Sequence, residues 1–280
     1  VLRLGNQLEE DLVVVEDPLE IRLDNESVVV TMRTPGYEDE LAAGFLYAEG
    51  IISGPADIAS IHPVVGNRSK PSQLRVVDFS GDHVDIALSE NSSNSKSTAV
   101  DFDKFSSSSR PNEIPNQREF AATASCGVCG KTSISDLDHE LPSVNSVEFD
   151  LELLESLPER LRQAQTLFDI TGGIHAAAIF NLDGQLLCLR EDIGRHNAVD
   201  KVIGHFVLRD NIPLSDSILA VSGRAGFELI QKALKAKIPA MVSVGAASSV
   251  AVDMATTAGM TLYSFAGRGR GNLHVRPNPT

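Results

Sequence analysis

A three-layer α/β/α sandwich around a mixed sheet, joined to a smaller β-rich N-terminal region, is the fold class predicted by this 280-residue sequence. Three observations predict it. From Ile174 onward, apolar strand-like runs alternate with amphipathic helices, the signature of a layered α/β domain. A turn signal at Asp183-Gly184 joins the first two runs into a hairpin, which makes the sheet mixed. Before residue 90, short β-branched runs outnumber helices.

The N-terminal region is expected to span residues 1–118. Ser27 to Met32, Gln73 to Phe79 and His83 to Leu88 read as strands, the last two separated by Ser80-Gly81-Asp82. Glu38 to Glu49 reads as a helix. Acidic residues fill its first turn, Leu41, Phe45 and Leu46 form its apolar face, and Gly50 suits the stop. Residues 91–118 change character, being Ser-rich at 91–109 and then Pro- and Asn-rich, which predicts a mobile insert. Residues 119–145 are expected to form a flexible arm, because Ala121 to Thr132 is a run of small residues around a cysteine pair.

The core is expected over residues 146–280. A helical stretch from Asp150 to Phe168 is read as interrupted at Pro158. Ile174 to Asn181 and Gln185 to Arg190 form the hairpin. Then come a helix at His196 to Arg209, a strand at Ser217 to Val221, and a helix at Arg224 to Lys237. A strand at Pro239 to Val244, a helix at Ser248 to Ala258 and a strand at Met260 to Phe265 complete the alternation.

Composition narrows the function classes. The chain is 42% hydrophobic and 22% charged, as globular proteins are. No apolar run reaches the roughly 20 residues that a membrane-spanning helix needs, and Val1 to Glu10 holds no signal-peptide stretch. A cytoplasmic protein with no membrane partner is therefore expected. A net charge of -14 argues against nucleic-acid binding, which requires a basic face. The tail from Phe265 onward is locally basic, with Arg268, Arg270 and Arg276 and no acidic residue, and offers a place for a phosphate-rich ligand.

Three cysteines are present. Cys188 lies in the apolar run Gln185 to Leu189 and reads as a small core residue. Cys126 and Cys129 sit between glycines in Ser125-Cys126-Gly127-Val128-Cys129-Gly130. Four readings of this pair stand side by side. Half a zinc site would need about two further ligands, and no second cysteine pair supplies them. A thioredoxin-like redox pair would follow a strand and open a helix, which the small flanking residues do not suggest. A sulfur carrier would use a thiolate to take the outer sulfur of a donor persulfide, a task that suits a mobile arm. Two buried structural cysteines would need large apolar neighbours, which this segment lacks.

Glycine-rich loops mark candidate ligand contacts. These are Thr171-Gly172-Gly173-Ile174-His175, Ser222-Gly223-Arg224-Ala225-Gly226 and Ser243-Val244-Gly245-Ala246-Ala247-Ser248-Ser249. Amides at strand-to-helix turns attract anions and glycine admits close approach, yet a tight turn without a ligand accounts for each loop equally well. The dense polar run Arg190 to Asn197 reads either as capping and salt bridges or as ligand contacts. His175 and His196 are candidates for proton transfer, against the simpler reading of satisfied structural histidines.

At these residues the sequence resembles the FdhD family, the formate dehydrogenase accessory sulfurtransferases. The matching pieces are Ser125 to Lys131, Thr171 to Ala177, Arg190 to Lys201, Ser222 to Arg224 and Phe265 to Arg270; the N-terminal region matches loosely, through the helix Tyr37 to Gly50 and its preceding strand. The resemblance implies a sulfurtransferase. It would pass sulfur from a cysteine desulfurase to the molybdenum cofactor, bis-molybdopterin guanine dinucleotide, required by formate dehydrogenase. The cofactor would be a bound substrate, with no metal held by the protein itself.

Residue by residue, the resemblance makes Cys126 the persulfide carrier, with Cys129 assisting. It makes Phe265, Ala266, Gly267, Arg268, Gly269 and Arg270 a cofactor-binding stretch. Gly172, Gly173, His175, Ser222, Gly223 and Arg224 are expected to complete that site. A cytidine deaminase-like core and a homodimer are also implied. Deamination itself is not expected: Ala176-Ala177 after His175 leaves no Glu for proton shuttling, and Ser125 stands where deaminases carry Pro. A cofactor-binding chaperone without covalent chemistry is the rival reading.

Overall fold

The structure, a computed structural model, describes residues 11–65, 81–89, 142–145, 147–267 and 269–274. The N-terminal region forms a four-stranded sheet from β1 (Asp17–Leu23), β2 (Glu26–Arg33), β3 (Ile58–Val64) and β4 (His83–Leu88), in the order β2-β1-β4-β3. The helix α1 (Glu38–Ala48) lies between β2 and β3 in the chain, and Gly50 follows it with a positive φ. β2, β4 and α1 are the elements expected. The strand expected at Gln73 to Phe79, the Ser-rich insert at 91–109 and most of the cysteine arm lie outside the described residues. β1 and β3 were not anticipated. Leu19, Ile21 and Leu23 do alternate inward, but Pro18 and the charges between them obscure the period.

The second sheet has six strands. After α2 (Leu151–Ala164) and α3 (Thr166–Thr171) come β5 (His175–Asn181), β6 (Leu186–Asp192), α4 (Arg195–Val207), β7 (Ser217–Val221) and α5 (Phe227–Lys235). Then follow β8 (Ala240–Ser243), α6 (Ser249–Ala258), β9 (Thr261–Gly267) and β10 (Arg270–Leu273). The sheet order is β10-β9-β8-β7-β5-β6. β7, β8 and β9 run parallel, while β5 pairs antiparallel with both β6 and β7, so the sheet is mixed as expected.

Residue alternation sends the two faces to different partners. Ala176, Ala178 and Phe180 of β5 join Ile218 and Ala220 of β7 under Leu154, Leu157 and Leu161 of α2. Ala177, Ile179, Leu219 and Val221 face the other way, onto α4, α5 and α6. Each of the three α2 leucines is at most 1% exposed. At about 1.5–3 kcal/mol per fully buried side chain, they account for a correction. Pro158 does not interrupt α2, which continues through it to Ala164. A proline in a helix interior costs about 3 kcal/mol, and burial of this one face exceeds that. The chain breaks instead at Gln165.

The small sheet is not a separate core. Leu19, Ile21, Val84 and Ile86 belong to the same apolar cluster as α1, α4, α5 and α6. α1 crosses α4 at two glycines. A Cβ on Gly44 would overlap the Asp200 carbonyl, and a Cβ on Gly204 would overlap that of Glu40. Only glycine lets the two backbones meet there. Residues 142–145 meet the C-terminal end of α6, with the Val144 N–H donating to Ala258 O at 3.0 Å.

Candidate functional site

The polar run Arg190 to Lys201 passes from β6 into α4, and most of it is structural. Arg190 pairs with Glu40 at 2.6 Å and lies 3.9 Å over the Tyr37 ring. Glu191 caps α3 by accepting from the amides of Leu167 and Phe168, at 2.8 and 2.9 Å. Asp192, with no exposed surface, pairs with Lys201 at 2.7 Å and also accepts from Thr34 N, Gly194 N and Asn197 Nδ2. Lys201 donates to Thr34 O and Asn197 donates to Met32 O. Asp200 pairs with Lys232 at 2.6 Å, and burial pushes its carboxyl up to about 6 against the pull of that lysine. These bonds fasten the end of β2 and the helices α1, α3 and α5 to the large sheet. Capping and salt bridges therefore account for this part of the run.

Three residues stand apart from that network. His175 opens β5, with Nδ1 3.4 Å from Ser222 Oγ, which accepts from the Ala176 amide. Burial lowers the His175 pKa, and the charges of Arg195 and His196 lower it further against the opposing effect of Asp192. The Arg195 side chain makes no hydrogen bond or ion pair among the described residues, and its Nε is fully buried. His196 Nε2 lies 2.9 Å from the Glu228 carboxylate.

A cleft of about 640 Å³ opens beyond the carboxyl ends of β7, β8 and β9, where open α/β sheets place their ligands. One wall is α2 and α3, which contribute Glu155, Arg162, Gln165 and Phe168, with Arg162 stacked 4.5 Å over the Phe168 ring. The other wall carries Gly172, Gly173, His175, Ser222, Ala266 and Gly267. A second pocket of about 150 Å³ shares His175 and Ile193 with the cleft and adds Gly194, Arg195, His196 and Asn197.

The FdhD/NarQ family model matches residues 14–278. The chain belongs to the FdhD/NarQ family. A Mycobacterium tuberculosis relative, named sulfur carrier protein FdhD, is 42% identical over 273 residues, covering 95% of this chain and 90% of its own length. Relatives of the same name from Streptomyces coelicolor and Saccharolobus solfataricus are 43% and 37% identical, over 91% of this chain and 84% and 85% of their own lengths. A crystal structure of a candidate formate dehydrogenase accessory protein from Desulfotalea psychrophila superimposes with a TM-score of 0.69, covering 99% of this chain and 95% of the other. At 21% identity, that likeness speaks for the fold.

Within this FdhD/NarQ chain, the sequence-predicted site residues divide. Gly172, Gly173, His175, Ser222, Ala266 and Gly267 meet at the cleft. Gly223 is buried behind it, and a Cβ there would lie 3.5 Å from both His175 Nδ1 and Arg195 Cδ. Arg224 is exposed. Phe265 is exposed with a φ of 52°, and Gly269 and Arg270 lie at the turn into β10, off the cleft lining. Cys126, Cys129 and Arg268 lie outside the described residues.

The loop at 243–249 uses several amides internally. Val244 N donates to Val221 O, Gly245 N to Gly223 O and Ser248 N to Ala225 O. Sequence reasoning missed Glu155, Arg162, Gln165 and Phe168, which it read only as parts of an apolar helix. Their nearness in sequence to Thr171-Gly172-Gly173 was the available signal. Cys188 is the buried core residue expected, and burial pushes its thiol up to about 11. Among the described residues, no group of three or more His, Cys, Asp or Glu is placed to hold a metal, and no helix is long and apolar enough to cross a membrane.

Proposed function

We propose that this protein is a sulfur carrier that supplies the molybdenum cofactor of formate dehydrogenase, acting in the cytoplasm through a persulfide on Cys126. The Cys126 thiolate attacks the outer sulfur of a persulfide on a cysteine desulfurase. A new S–S bond forms on Cys126, the donor's S–S bond breaks, and the donor cysteine leaves as a thiolate. The Cys129 thiolate then attacks Cys126 Sγ. A Cys126–Cys129 disulfide forms, the persulfide S–S bond breaks, and the outer sulfur leaves as sulfide for the bound cofactor. A cellular dithiol reduces the disulfide for the next cycle. The cofactor, bis-molybdopterin guanine dinucleotide, is the substrate of the cleft beside His175. A homodimer is the proposed assembly.

The observation that carries this reading is an elimination. The family's curated relatives are named sulfur carriers, and the chain has three cysteines. Cys188 is buried, with its thiol held protonated near 11, so it is neither a nucleophile nor a carrier. Cys126 and Cys129 remain. A cleft at the carboxyl ends of parallel strands supports the cofactor half of the reading.

Mass spectrometry after incubation with a cysteine desulfurase and cysteine tests it. The expected result is one added sulfur atom on Cys126, absent in Cys126→Ala and never on Cys188. No adduct, or an adduct that persists in Cys126→Ala, rejects the persulfide and favours a chaperone that binds the cofactor without covalent chemistry.

A further inference from the structure

The short helix α3 lines the cleft but has no share in the core. It spans six residues, Thr166–Thr171, and none of them is buried. Leu167 and Ile170 are 40% and 56% exposed, whereas α2 beside it sinks three leucines into the sheet. Phe168 and the flanking Gln165, Gly172 and Gly173 line the 640 Å³ cleft. A segment that buries no apolar side chain is held weakly and opens locally before the rest of a fold.

The contacts that fasten α3 are polar. The Glu191 carboxylate of β6 accepts from the Leu167 and Phe168 amides. Arg162 of α2 pairs with Asp169 at 2.6 Å, with side chains 44% and 57% exposed, where an ion pair contributes little. Both ends of α3 are able to turn. At the first, Gln165 leaves helical geometry with a ψ of 88°. Its Nε2 is buried and has no hydrogen-bond partner among the described residues, so this position of α3 leaves a donor unsatisfied at a cost. At the other end, Gly172 takes a φ of 66°. Gly173 has no positive φ, and a Cβ there would meet nothing closer than 3.8 Å. Gly44 and Gly204 are required by the helix crossing. Nothing in the present conformation requires a glycine at 173, and a hinge does.

We propose that α3 is a lid on the cleft: it swings as a unit about Gln165 and Gly172–Gly173, from the position latched by Glu191 to one that covers a bound ligand. The inference rests on the cleft being the cofactor site, and it adds a conformational step to that site. A closed lid keeps water from the ligand while sulfur is delivered.

The chain has no tryptophan. Ile170→Trp therefore places a lone fluorescent reporter on α3, at a position that does not line the cleft. Stopped-flow mixing of this full chain with GDP, the nucleotide end of the proposed cofactor, tests the lid. The emission should change at a rate that rises with GDP and then levels off, the mark of a unimolecular step coupled to binding. Gly173→Ala should slow the plateau rate about two- to fivefold, the size of a glycine-to-alanine backbone effect. Gly54→Ala, at an extended glycine off the cleft lining, should leave it unchanged. Glu191→Gln replaces a charged acceptor by a neutral one, which loosens the latch and should speed closure. Thermal melts check that each variant is folded.

GDP binding, seen by calorimetry, without an emission change overturns the lid. So does a rate that stays linear in GDP. An unchanged plateau rate in Gly173→Ala overturns the hinge, and one in Glu191→Gln overturns the latch. If calorimetry shows no GDP binding, the nucleotide reading of the cleft falls and the lid falls with it. Persulfide formation on Cys126 is read separately, so the sulfur-carrier reading stands or falls on its own measurement.

Discussion

The crossing of α1 with α4 and the first turn of α4 draw on the same kinds of polar residue and treat them in opposite ways. At the crossing, Glu40 is gripped by Arg190, His205 and Arg209, and Asp192 is matched by Lys201, Asn197 and two amides. At the first turn, Arg195 lines a pocket, and its buried Nε has no hydrogen-bond partner among the described residues. Buried polar groups are satisfied when they serve only the fold. A dense polar stretch of sequence can therefore hold both a clamp and the lining of a pocket, and the accounting of hydrogen bonds separates them.

Substitutions that attack each side sharpen the contrast. The largest effect is expected from Asp192→Ala, which strands Lys201 as a buried charge at 1% exposure. Urea denaturation should show a loss of about 3–5 kcal/mol. Gly204→Ala forces a methyl group against the Glu40 carbonyl and should cost about 1–3 kcal/mol, read by the same measurement. Arg195→Gln breaks no side-chain hydrogen bond or ion pair among the described residues and should change stability by no more than about 0.5 kcal/mol. A stability loss in Arg195→Gln as large as that of Asp192→Ala would erase the distinction between clamp and pocket lining.

The smallest effect is a pH shift at His175. Its pKa in the folded chain is lowered by burial and by Arg195 and His196. In the interval between the ordinary histidine value of about 6.5 and the lowered one, the unfolded chain binds a proton that the native chain does not. His175 therefore contributes stability above about 6.5 that is lost as the pH falls through that interval. NMR titration of the imidazole should place its midpoint below 6.5 in the free protein. Arg195→Gln should raise that midpoint, because the Arg195 charge is one of the causes that lower it.

Much of the core was legible because its elements announce themselves locally. β7 occupies Ser217 to Val221 as the alternation predicts, and β5, β6 and α4 fall within two residues of their expected bounds. Elements that depend on distant partners were not legible. β1 and β3 carry prolines and charges and become strands by pairing with β2 and β4. Pro158 reads as a helix breaker, yet α2 continues because the sheet beneath it buries three leucines. The site divides in the same way. His175, Ser222 and the glycines beside them were visible as motif residues. Gln165 and Phe168 reached the cleft only when α2 and α3 folded over the strand ends.

By itself, the sequence determined the layered α/β class, the family, the cysteine pair and the residues that open the cleft. These follow from hydrophobic period, turn chemistry and motif spacing, which are properties of short segments. The tertiary structure decided which polar residues of the Arg190–Lys201 run hold the fold and which line a pocket. Partnership and burial depend on segments far apart in the chain, such as Thr34 beside Asp192 and α1 against α4. Their free energies arise only when those segments meet.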